Sequence, residues 1–124
     1  MPAQKQPKLE VEEKQGTKAP VTVVRFLISK LAESEDIQQL GDQLYSLVEE
    51  HGRKNLLLNF SKVQFTASYF LGKMLGLRQR VLKADGRLAL VIKPGSLVEE
   101  VFEVCGFLTL FEVYATEEEA LQSF

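Results

Sequence analysis

The 124-residue chain contains one cysteine, one histidine and no tryptophan. A lone thiol, Cys105, excludes an internal disulfide and fits a reducing compartment. Zinc needs several His or Cys ligands at short intervals, and none are so spaced. No apolar run approaches the ~20 residues that cross a bilayer. The opening MPAQKQPKLEVEEKQ lacks the apolar middle of a secretory signal. Phosphate loops are missing too. LGKMLG has neither the earlier glycine nor the following Ser or Thr of a Walker loop, and no strand leads into G-x-G-x-x-G. Neither sign of charge dominates: the net charge of −2 offers no general attraction to nucleic acid or anionic membrane. The basic clusters RKN, RQR and KADGR are scattered and not interleaved with aromatics. These absences predict a cytoplasmic protein without cofactor, metal, nucleic-acid or membrane partner, and not an enzyme.

What the chain does have is an ordinary globular composition, 45% hydrophobic and 26% charged, long enough to bury a core. Residues 1–7, with two prolines, read as a flexible arm, and 8–124 as a single domain. KLEVEEK alternates apolar and charged residues as an edge strand does, and VTVVRFLI is a second strand pairing with it. A helix is expected from Ser34, as its cap, with Ile37, Leu40, Leu44, Leu47 and Val48 on one stripe and Gly52 as its stop. NLLLNF and RLALVI are continuous apolar strands of the kind buried on both faces of a parallel sheet. Between them a helix carries Leu71, Met74, Leu75, Arg78 and Leu82 on one side. SLVE and TEEE have capping-box spacing and open two short helices on either side of the strand LFEVY. In the first of these, Leu97, Val98, Val101, Phe102 and Cys105 are expected to face the core. The predicted fold is α/β, a mixed, mostly parallel central sheet with helices packed on it, in the order β-β-α-β-α-β-α-β-α.

Few residues invite chemistry. His51 falls at a helix end, where a positive charge suits the dipole. Cys105 is expected to be a buried structural thiol, with no neighbouring base in sequence to activate it. Gly72 and Gly76 have the G-x-x-x-G spacing, read here as close packing of the second long helix against the sheet.

The informative stretch is NLLLNFSKVQFTASYFLGK, where a strand gives way to a helix at Thr66, Ala67, Ser68 and Tyr69. The first N–H groups of a helix are unpaired and carry partial positive charge, so an anion there is stabilised. A hydroxyl at that point can cap the helix. A phosphate placed on it would add about −1.5 to −2 charges and reset any docking surface.

The string from NLLLNFSKVQF to TEEEAL resembles the STAS domain of bacterial anti-sigma factor antagonists. Members of that family read D-x-S-x-V-x-F-x-D-S-S-G-L-G after an apolar strand. Here Asn59, Ser61, Val63, Phe65, Ser68, Leu71 and Gly72 fall in matching places, followed by Gly86, Leu88, Leu90, Gly106, Phe111, Glu119 and Ala120. The resemblance spans residues 8–124 and implies a STAS-like fold. It also implies a module that binds an anti-sigma factor, often a serine kinase, with release on phosphorylation of the second serine of D-S-S-G.

That motif falls on Ala67, Ser68, Tyr69 and Phe70, so the family's acceptor position holds Tyr69 and the preceding acid is Ala67. The family's earlier G-x-L-D signature lies on SKLA, with Ala32 in the acidic slot. The resemblance therefore implies a phosphorylation switch that is absent, or relocated to Ser68 or Thr66. It implies a partner surface made of Thr66, Ser68, Tyr69, Phe70 and Lys73, for an anti-sigma factor or serine-kinase-like protein. Phe70 can serve that surface, or pack inward with Met74 and Leu77. Two alternatives remain open from the residues: a scaffold or sensory subunit of a larger signalling complex, and a small nucleotide- or anion-binding protein.

Overall fold

A computed structural model describes residues 7–124. The arm expected at 1–7 lies, apart from Pro7, outside the described residues. Strands β1 (Leu9–Gln15) and β2 (Pro20–Phe26) form an antiparallel hairpin, Leu9 opposite Phe26 and Gln15 opposite Pro20. From β2 the sheet continues in parallel through β4 (Asn55–Asn59), β6 (Arg87–Val91) and β7 (Glu112–Tyr114), in the order β1-β2-β4-β6-β7. The crossovers are α1 (Ser34–Glu49), α2 (Ser68–Lys83) and α3 (Leu97–Val104), and α4 (Glu117–Gln122) ends the chain.

Alternation along the strands builds two cores. Leu56, Leu58, Leu88 and Leu90 point into the larger one with the inner stripes of α1, α2 and α3, while Leu57, Ala89 and Val91 meet Ala120 and Phe124 on the other face. The mixed α/β architecture is the one expected. It has two further elements, β3 (Lys30–Leu31) and β5 (Phe65–Thr66), which pair in parallel, Lys30 opposite Phe65 and Leu31 opposite Thr66. Two residues carry no period, so neither strand is visible in the sequence.

Face α4 is fastened by charge. Arg25 Nε donates to Glu117 Oε1 at 2.8 Å, and Asn59 Nδ2 donates to the same oxygen at 3.0 Å. These contacts, led by the Arg25 hydrogen bond, hold the Glu117 carboxyl down at about 2.

Several expectations need correction. Ser34 is the first helical residue rather than the cap, and Glu33 at the cap position makes no side-chain cap bond. Ser96 and Thr116 do cap, accepting from the Glu99 and Glu119 N–H groups at 3.2 Å each. On α2 the buried residues are Phe70, Leu71, Met74, Leu77 and Val81, and Leu82 is exposed. The helix is turned about one residue from the expected face because Phe70 takes the core position. On α3, Val98 and Phe102 face inward, which turns Leu97 outward and leaves Cys105, at the helix end, exposed. Finally, Gly72 is surrounded by open space, and a side chain at Gly76 would strike the Tyr45 hydroxyl on α1. The small residue at 76 serves helix–helix packing and not contact with the sheet.

Candidate functional site at the start of the second long helix

The β3–β5 ladder brings the SKLA segment beside the start of α2. The Ala67 N–H donates to the Leu31 carbonyl at 2.7 Å, and the Gln64 N–H to the Ser29 carbonyl at 2.7 Å. The helix starts immediately after this bond, with Ala67 extended at the N-cap position. Alanine has no side-chain acceptor, so α2 starts without a side-chain cap. Its first turn holds no acid either. Unsatisfied donors and the positive end of the dipole are thus left at this point.

Beneath it lies an aromatic cluster. Phe70 of α2 meets Phe26 of β2 edge-on at 5.8 Å between ring centroids and Phe60 at 6.1 Å; Phe60 stacks on Phe26 at 4.6 Å and meets Phe102 of α3 at 5.7 Å. Each such pair adds about 0.5–1.5 kcal/mol beyond area burial. The cluster ties the start of α2 to α3 and to the sheet, so the surface above it is held rigidly.

The expected site residues divide on this framework. Ser68 is exposed and Tyr69 is 52% exposed. Thr66 is 1% exposed, its hydroxyl donating to the Ala67 carbonyl at 3.3 Å, and Phe70 is fully buried. The position of Thr66 and Phe70 as surface residues is therefore corrected: β5 pairing turns Thr66 inward, and Phe70 is a core aromatic. Neither Thr66 nor Ser68 caps the helix. Lys73 is half-buried against α1, its stem over Gly41 and its Nζ donating to Gln38 Oε1 at 3.1 Å.

A groove of about 330 Å³ runs alongside, walled by residues 65–68 and by Glu100, Val101, Val104 and Cys105 of α3 and its end. Its lining is almost wholly apolar. Sequence reasoning missed this second wall because it read α3 as having one apolar face. The outward Leu97 and Val104 were the available signal. Among the described residues no group of three or more His, Cys, Asp or Glu is placed to hold a metal ion. No helix among them is long and apolar enough to cross a membrane.

The fold is that of STAS domains. The family model of the STAS domain matches residues 11–120, and the chain belongs to that family. Over 92 residues it is 30% identical to a Bordetella bronchiseptica protein assigned as the anti-sigma factor antagonist BtrV, covering 73% of this chain and 77% of that one. Among solved structures, an anti-sigma factor antagonist from Mycobacterium paratuberculosis superposes with a TM-score of 0.76 at 20% identity, over 93% of this chain and 91% of that one. The anti-sigma factor antagonist SpoIIAA in its unphosphorylated form gives 0.67 at 22% identity, over 93% and 96%. These structural likenesses establish the fold.

Proposed function

We propose that this STAS domain is a regulatory binding module without catalytic activity, which docks an anti-sigma factor or serine-kinase-like protein through the surface at residues 66–73. Ser68 and Tyr69 are the exposed contacts, and Lys73 lines the edge toward α1. In this reading the serine phosphorylation switch is absent or has moved to Ser68, because Tyr69 occupies the acceptor position and Ala67 and Ala32 replace the acids. The observation that carries the reading is Tyr69, 52% exposed on the uncapped first turn of α2. Aromatics on rigid supports are favoured interface anchors. The assignment of BtrV as an anti-sigma factor antagonist supports the choice of partner.

The test is binding of purified anti-sigma factors from the source organism to the immobilised protein and to its Tyr69→Asp variant. One of them is expected to bind, and the variant to lose about tenfold or more in affinity, roughly 1.4 kcal/mol. Equal affinity for both forms, or no binding by any anti-sigma factor, would count against the reading.

A further inference from the structure

We infer that the groove between β5 and α3 receives an amphipathic helical segment of a partner protein, its apolar side chains flanked by lysine or arginine. The inference rests on the reading of the start of α2 as a docking surface and gives that partner its chemistry. Helix α3 has two apolar stripes. Val98 and Phe102 fill the core at 1% and 0% exposure. Leu97, Val101 and Val104, spaced by four and three residues, form a second stripe, in which Leu97 is 58% and Val104 80% exposed while half-buried Val101 reaches from the core edge into the groove. A surface helix needs only one apolar face, so the second is suited to being covered. Across the groove the apolar surface continues into Phe65, 40% exposed.

Charge selects the occupant. Helix α3 bears Glu99, Glu100 and Glu103 and no basic residue. Glu99 is engaged at the helix start, accepting from the Gly95 N–H at 3.0 Å. Glu100 lines the groove, Glu103 is exposed on the same helix, and neither takes part in an ion pair among the described residues. A second copy of this chain, docked by a twofold axis, would set these acids against themselves. A segment with Lys or Arg beside its apolar seam offers the complement, and helix-in-groove binding is the mode that fits an apolar trough beside a helix.

The probes are two synthetic helical peptides of about 14 residues with one leucine seam at i, i+3, i+4 and i+7 spacing, flanked either by Lys and Arg or by Glu. Each is titrated into the 15N-labelled full chain. The basic peptide is expected to shift the amides of Phe65, Val101 and Val104, to bind about tenfold or more tightly than the acidic one, and to weaken with added salt. Val104→Asp, at a position too exposed to disturb folding, is expected to abolish the shifts, and Glu100→Lys to reverse the preference. Equal affinity for both peptides, shifts elsewhere, or binding unaffected by both variants would overturn the inference. So would shifts of the same amides on concentrating the protein alone, which would give the groove to a second copy. An anti-sigma factor that is lost with Tyr69→Asp but indifferent to Val104→Asp would sink the groove alone. Basic-peptide binding with no anti-sigma factor bound would sink the proposed function alone.

Discussion

Leu31 and Ala67 are joined by a backbone hydrogen bond of 2.7 Å, from the Ala67 N–H to the Leu31 carbonyl. This bond closes the two-residue β3–β5 ladder and sets where α2 begins. It also places Ala32, the residue after Leu31, next to the start of that helix, so two alanines without charge or side-chain acceptor meet there. The helix dipole there is unopposed by any acid of the first turn.

Neighbouring aromatics at that junction should behave oppositely. Phe70→Ala removes a fully buried ring from the cluster with Phe26 and Phe60 and is expected to cost about 3–5 kcal/mol in urea unfolding. Tyr69→Ala should change stability by less than about 0.5 kcal/mol. Tyr69→Asp should not destabilise, since a negative charge in the first turn is worth about 0.3–1 kcal/mol. Any loss of partner binding in Tyr69→Asp is then a surface effect.

The two glycines of α2 give a second contrast, read by thermal melting. Gly72→Ala meets open space and gains helix propensity, so it should stabilise by about 0.5–1 kcal/mol. Gly76→Ala drives a methyl against the Tyr45 hydroxyl. That ring is pinned by its bond to the Lys73 carbonyl at 3.1 Å and by the Arg80 guanidinium, 3.8 Å from the ring centroid. Overpacking there should cost about 1–3 kcal/mol.

Acid should loosen α4. Glu117 ionises near 2 in the fold against 4.5 unperturbed, so its stabilisation is fully present above pH 4.5 and lost as pH falls toward 2. The loss is on the order of 2 kcal/mol, allowing for solvent screening of a partly exposed pair. Glu117→Gln should lower stability at pH 7 and flatten its decline between pH 4.5 and 2, measured by denaturant unfolding at a series of pH values.

Cys105 should react with iodoacetamide in the native protein, without denaturant, because it is exposed at the end of α3. Mass spectrometry is expected to show complete single alkylation with the circular dichroism spectrum unchanged. Occupation of the groove it lines should slow the reaction.

The order of the main strands and helices was legible in the residues because it rests on local periods. Continuous apolar runs such as NLLLN mark strands buried on both faces, and spacings of three and four mark helices. The junction at residues 66–70 was legible too, as a change of period. The side chains it presents to solvent were not. Pairing of Phe65 and Thr66 with Lys30 and Leu31 joins segments 35 residues apart, and no local pattern encodes a two-residue ladder.

A stripe also locates a helix face only to within about one residue, or 100° of rotation. Volume and neighbours settle the remainder. Phe70 fits between Phe26 and Phe60, so α2 turns to bury it. On α3 the same competition seats Val98 and Phe102, which turns Val104 and Cys105 to the outside. Local patterning thus set which elements exist and their order. Long-range packing chose which residues of the junction meet solvent, because burial depends on what the rest of the chain brings against each side chain.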